Sequence, residues 1–116
     1  MIEITYDMAN NSVRILGHSG AGKKGADVVC AGVSALAQTL AANVRHWQDS
    51  GKLQKEATIS LSDGEGLISW EPKHDYEAAT RQIAVAICAG FELIAVELPQ
   101  YVSFRIGCLR NVSETK

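Results

Sequence analysis

Apolar residues recur at every second position at the start of the chain: Ile2, Ile4, Tyr6 and Met8. A period of two puts them on one face of a strand. Val13 and Ile15 resume the alternation after Asn10-Asn11-Ser12. Asparagine tolerates positive φ, so this stretch predicts a hairpin between two antiparallel strands. From Asp27 the period changes. Val29, Val33, Leu36, Leu40, Val44 and Trp47 recur at helical spacing to about Asp49. Asp27 is the expected N-cap and Ser50-Gly51-Lys52 the stop. The first half of this helix is apolar nearly all round, which predicts burial on more than one side. Ala57, Ile59 and Leu61 then alternate, Asp63-Gly64-Glu65-Gly66 turns the chain, and Ile68 and Trp70 alternate back before Pro72. A second helix opens at His74 or Asp75 and runs to about Leu98, where Pro99 stops it. Its expected core face is Ile83, Ile87, Phe91, Ile94 and Leu98. Val102, Phe104 and Ile106 alternate as a last strand. The order ββαββαβ predicts an α+β fold, two helices packed on a mostly antiparallel sheet.

The 116 residues are one domain by length, and with 47% apolar and 21% charged residues the composition is that of an ordinary globular protein. The net charge is −2, and lysines and arginines are scattered, so no nucleic-acid footprint is expected. The start MIEITYDM lacks a basic n-region and a long apolar run, so no signal peptide is expected. The longest apolar stretch, Ile83 to Phe91, is too short to cross a bilayer, so no membrane partner is expected. Cys30, Cys88 and Cys108 are widely spaced, with no CxxC or Cys/His cluster to hold a metal. They read as free thiols of a reduced, cytoplasmic protein, without metal or cofactor. Cys88, within AVAICAGF, reads as a small core residue.

Two chemistries compete in GHSGAGKKGADVVCAGVSAL, residues 17 to 36. Gly17, Gly22 and Lys23 fit a phosphate-binding P-loop, but Lys24 stands where a hydroxyl would coordinate magnesium. The strand before it belongs to a hairpin rather than a buried parallel sheet, so nucleotide binding is the weaker reading. In the other reading residues 19 to 26 form a glycine-rich surface loop. If Asp27 caps the helix, Cys30 is its third residue, where free N–H groups and the helix dipole favour a thiolate. His18, across the loop, becomes the proton acceptor, with Asp27 near both: its carboxylate could orient His18, though alone it would oppose the thiolate. Ser34 follows Cys30 by one turn on the same face. His46 and His74 read as surface residues near helix ends.

The same residues resemble a known family. GHSG, a glycine-containing loop and GADVVCAGVSALAQT resemble the ribosomal-processing cysteine proteases, the Prp family. The shared pattern is a Gly-His, twelve residues from His to Cys, and an Asp-x-x-Cys helix start with a serine four residues on. His18, Asp27, Cys30 and Ser34 fall on these positions. AICAGFELIAVELPQYVSFRI is similar to the family's second helix, Pro-x-Tyr-Val corner and last strand, so the resemblance spans nearly the whole chain. It implies a homodimeric cysteine endopeptidase with Cys30 as nucleophile, His18 as base, and Asp27 and Ser34 as supporting residues. Gly20, Gly22 and Gly25 would let the loop open for substrate. The implied substrate is the N-terminal extension of a large-subunit ribosomal protein, the twenty-seventh in the usual naming, cut after an apolar segment ending in Phe-Phe. The sequence departs from the family in the loop: Ala21 and Lys23-Lys24 replace a common aromatic, and Ala31-Gly32 replaces Ala-Ala. These departures bear on the substrate more than on the chemistry. Two alternatives follow: a phage-type relative processing a capsid protein, and a non-catalytic module that binds a peptide in the same groove.

Overall fold

The computed structural model describes residues 1–18 and 24–107, with the side chains of residues 24–27 outside the description. Its order is β1 (Ile2–Asp7), β2 (Ser12–Gly17), α1 (Lys24–Asp49), β3 (Thr58–Ser62), β4 (Glu65–Ser69), a short 3-10 turn (His74–Tyr76), α2 (Glu77–Glu97) and β5 (Val102–Gly107). The five strands form one sheet in the order β3-β4-β2-β1-β5. The β1–β2, β2–β4 and β3–β4 pairs are antiparallel, and β1–β5 is parallel. The expected α+β class and ββαββαβ order are both present.

The period of two sends one face of every strand inward. Ile2, Ile4 and Tyr6 of β1, Val13 of β2, Ile68 of β4 and Val102 of β5 are buried, and Ile15, Ile59, Leu61 and Phe104 pack against them. The opposite face carries Glu3, Arg14, Ser60, Ser103 and Arg105, all exposed. The protein is therefore two layers deep, with helices on one face of the sheet. α1 contributes Val29, Val33, Ala37, Leu40, Val44 and Trp47 to the core. Trp47 meets Trp70 edge-on at 5.9 Å between ring centroids, a favoured aromatic geometry. Phe91 of α2 stacks near Phe104 at 6.2 Å.

Asn11 carries the positive φ expected in the first hairpin, at 53°. Asp7 holds that turn by accepting from the Asn10 backbone N–H at 3.2 Å and its side-chain amide at 2.8 Å. The second turn is tighter than the four residues expected, because Glu65 and Gly66 already belong to β4. Gly66 fits there because it faces Leu61, whose Cδ2 lies 3.1 Å from where a Cβ would sit.

Several further expectations need correction. α1 starts at Lys24, three residues before the expected cap at Asp27. Once packing fixes the helix from Val29 on, each residue added in front costs little, since each closes one more bond. Gly25 is thus helical and not part of a substrate loop; Gly20, Gly22 and Cys108 lie outside the described residues. The first half of α1 is buried on one side only, as Val28 is 71% exposed. The fully buried stripe of α2 is Thr80, Ala84, Cys88 and Phe91; of the expected face, Ile87, Ile94 and Leu98 pack against the core at its edge and only Ile83 stands off. Small residues win the inner positions because the helices approach closely. A Cβ on Gly90 would lie 2.9 Å from both Leu36 methyls, and one on Gly32 would lie 3.3 Å from Ile94 Cδ1. Ile106 is 53% exposed beside the end of β1 rather than in the core. Measured over whole helices instead of one apolar run, α1 and α2 are each long and apolar enough to cross a membrane by length and composition. Here each lays its apolar stripe on the sheet.

Candidate active site

The end of β2 carries the histidine. Gly17, the last residue of β2, has φ 99°, and a Cβ there would run into the Met1 carbonyl oxygen. Only glycine makes this bend cheaply. Its N–H donates to the Gly64 carbonyl at 2.9 Å, which ties the strand end to the β3–β4 turn. His18 follows directly. Its Nδ1 lies 3.8 Å from Oδ1 of Asp63, and its Nε2 would be 2.6 Å from a Cβ placed on Gly64. The imidazole therefore rests on the turn, in space that exists only because residue 64 has no side chain.

α1 supplies the thiol. Cys30 is half-buried and packs against the core. A cleft of about 300 Å³ is lined by Gly17, His18, Cys30, Ser34 and Asp63, with Leu61 and Val33 as apolar wall. Gln38 also lines it, which puts Cys30, Ser34 and Gln38 at four-residue spacing along one face of α1. The fold thus brings together His18, Cys30 and Ser34, which the sequence singled out. Asp27 lies in the first turn of α1 with its side chain outside the described residues. Because the helix starts at Lys24, Cys30 is its seventh residue rather than its third. It stands beyond the first turn, where free N–H groups and the dipole act. That source of thiolate stabilisation is withdrawn, and a proton acceptor within the cleft becomes the more important one.

Asp63, Gly64, Gln38 and Leu61 were not singled out as site residues. Gln38 had a signal, the continuation of the Cys30, Ser34 spacing. Asp63 had none, because its place depends on β2 pairing with β4, which sets Leu16 opposite Glu65. The second cysteine is different. Cys88 is 2% exposed and burial pushes its thiol up to about 12. Burial also raises Tyr6, with Cys88 nearby adding to the effect and Arg81 opposing it. A larger hollow of about 410 Å³ lies at the other end of the sheet, lined by Asn10, Gln54, Glu56, Trp70, Glu71 and their neighbours. It has neither cysteine nor histidine in its wall, so the smaller cleft is the candidate site. Among the described residues no cluster of three or more His, Cys, Asp or Glu could hold a metal.

The fold is that of several solved structures. The crystal structure of SMU.848 from Streptococcus mutans aligns with a TM-score of 0.62 at 22% identity, covering 90% of each chain. The essential ribosomal processing protease Prp from S. aureus, in complex with a substrate peptide, aligns at 0.63 and 20% identity, covering 91% of this chain and 97% of that one. The same S. aureus protease with a covalently linked product peptide aligns at 0.63 and 23% identity with the same coverage. No curated protein matches by sequence. The family model described as cysteine protease Prp matches residues 1–103, and by that match the chain belongs to the Prp family of cysteine proteases.

Proposed function

We propose that residues 1–116 act as one protease domain that removes the N-terminal extension of large-subunit ribosomal protein twenty-seven in the cytoplasm, with Cys30 as nucleophile and His18 as base. The observation that carries this is the shared cleft: His18 at the end of β2 and Cys30 on α1, twelve residues apart, line the same 300 Å³ space with Ser34. That the S. aureus relative holds a covalently linked product peptide is in keeping with a covalent intermediate. Leu61, Val33 and Ile2 give the cleft an apolar wall, which suits a substrate segment ending in Phe-Phe.

The reaction needs no cofactor. His18 takes the Cys30 proton, and the sulfur attacks the scissile carbonyl carbon. The tetrahedral intermediate collapses with cleavage of the C–N bond, and His18 returns the proton to the leaving amine. Water, deprotonated by His18, then hydrolyses the thioester, releasing the acid and restoring the thiol. Ser34, one turn beyond Cys30 on the same face, lines the cleft as a supporting polar group.

Mass spectrometry of a synthetic extension peptide incubated with wild type and with Cys30→Ala tests this reading. A single cut after Phe-Phe, absent in the variant, is expected. A cut that survives in Cys30→Ala overturns the mechanism. Binding of the uncut peptide by the wild type would favour the non-catalytic module instead.

The family resemblance also implies a homodimer. Val85, Leu93 and Val96 form an exposed apolar stripe on α2, with Leu93 61% and Val96 68% exposed, and we assign this stripe to a second copy of the chain. Leu93→Glu should then shift the mass measured by light scattering from dimer to monomer. An unchanged mass rejects the stripe as the interface.

A further inference from the structure

We propose that Asp63, in the β3–β4 turn, is the positioning residue for His18: its carboxylate holds the imidazole as the Nδ1–H tautomer and leaves Nε2 free to accept the Cys30 proton. This rests on the protease reading above and adds a third group that neither the sequence nor the family match assigns.

Three observations converge on the turn. Asp63 Oδ1 is 3.8 Å from His18 Nδ1, in the same cleft as Cys30. The Gly17 N–H to Gly64 carbonyl bond fixes the histidine's strand end to the residue after Asp63. Gly64, at φ 81°, leaves room for the ring, since a Cβ would sit 2.6 Å from Nε2. Backbone and packing therefore restrict where the imidazole can go, and within that restriction one ring nitrogen faces a carboxylate.

The separation is longer than a hydrogen bond, and both side chains are open to water, at 64% and 97% exposure. An exposed pair like this adds little to stability. Its role appears when a peptide fills the cleft. Substrate displaces water, strengthens the remaining electrostatic contact, and lets a long contact between uncovered groups close to hydrogen-bond distance. The effect should thus fall on turnover and leave substrate binding nearly alone. Asp63→Asn keeps the turn, because asparagine suits such positions, but its amide can also donate, so the tautomer is no longer specified.

The test combines peptide kinetics with long-range proton–nitrogen NMR of the His18 ring, recorded in the Cys30→Ala background with uncut peptide filling the cleft, for Asp63 and for Asp63→Asn. Expected for Asp63→Asn is a kcat lower by about tenfold or more with KM within about twofold, with an imidazole that moves from Nδ1–H toward Nε2–H. Asp63→Glu, one methylene longer, should span the gap and recover most of the turnover. Identical tautomers with Asp63 and with Asp63→Asn overturn the proposal whatever the activity. Equal kcat in wild type and Asp63→Asn overturns it as well, and leaves the protease reading intact. A wild type that cuts no peptide overturns the protease reading and takes this role with it. Equal unfolding midpoints for the variants are expected, and a kcat loss that only tracks a falling midpoint also counts against a positioning role.

Discussion

Cys30 and Cys88 sit on the two helices that cover the same face of one sheet, and their surroundings separate them completely. Cys30 is half-buried at the end of the sheet where β1 starts and β2 stops, in a cleft with a histidine. Cys88 is 2% exposed in the middle of α2, beside Tyr6, with its thiol pushed up to about 12 by burial. A thiol becomes a nucleophile through access and a nearby proton acceptor, and becomes a core residue through their absence. The same side chain is therefore open to chemistry on one helix and serves packing on the other.

The largest test of that contrast is activity. Cys30→Ala should lower peptide cleavage at least about a thousandfold, as loss of a nucleophile does elsewhere, with little change in the unfolding midpoint. His18→Ala should do nearly the same. Cys88→Ala should do the reverse: cleavage close to wild type per folded molecule, and a stability loss of about 1–2 kcal/mol from the vacated core volume, read by urea unfolding. A Cys88→Ala enzyme that is folded but inactive would break the assignment.

Reactivity is the next largest. Cys30 in the native protein should alkylate with iodoacetamide at least about a hundredfold faster than Cys88 near neutral pH. Peptide mapping by mass spectrometry reads both sites in one sample. In urea the two rates should converge, because the difference lies in the fold.

Half of this contrast was legible beforehand. Cys88 in AVAICAGF reads as core from its apolar neighbours, and it is core. The strands and both helices follow from periods of two and of 3.6. The pairing of His18 with Cys30 in one cleft was readable as spacing across a loop, and the two residues do line the same cleft. Asp63 was not readable. It looked like a turn residue, and it is one; its nearness to His18 comes from β2 pairing with β4 across the intervening α1 and β3. Long-range register leaves no mark at a single turn. The early start of α1 was hidden too, because Lys24, Gly25 and Ala26 carry no apolar period and Asp27 makes a plausible cap. α2 misled in a third way. Phe91 of its expected face is core and Ile87, Ile94 and Leu98 line the edge, yet close helix packing gives the other inner positions to Thr80, Ala84 and Cys88 and leaves Ile83 outside.

The buried thiol should also be visible in stability against alkaline pH. In the unfolded chain a cysteine ionises from about 9.0, whereas folded Cys88 keeps its proton to about 12. Between these values the unfolded state binds fewer protons, so unfolding becomes easier as pH rises. Below about 9.0 both forms are protonated and Cys88 contributes no slope. Unfolding free energies from urea titrations at increasing pH should fall by up to about 1.4 kcal/mol per pH unit across the window. The raised Tyr6 adds to the fall above its usual 10.0. Cys88→Ala should remove the part of the slope that begins nearest 9.0 and leave the tyrosine part. No difference in slope between wild type and variant would mean that the thiol reaches solvent more readily than its burial implies.

The smallest effects concern the glycines through which the two cysteine-bearing helices touch. Alanine is favoured over glycine inside a helix by roughly 0.5–1 kcal/mol, so each substitution begins with a gain and the neighbour decides the sign. At Gly32, two residues beyond Cys30, a new Cβ meets one methyl of half-buried Ile94 at 3.3 Å. That methyl is a side-chain end and need move only a few tenths of an ångström. Gly32→Ala should therefore raise stability by a few tenths of a kcal/mol and leave cleavage unchanged. At Gly90, two residues beyond Cys88, the Cβ would meet both Leu36 methyls at 2.9 Å. Leu36 must move both branches of its end at once and by more, where Ile94 need move only one methyl. Gly90→Ala should cost about 1 kcal/mol or more despite the better propensity. Thermal unfolding of the two variants checks the signs. Destabilisation at both would mean that Ile94 is held as rigidly as Leu36. Opposite signs would show that Ile94 of α2, facing the Cys30 helix, has room to give where Leu36 of α1, facing the Cys88 helix, has none.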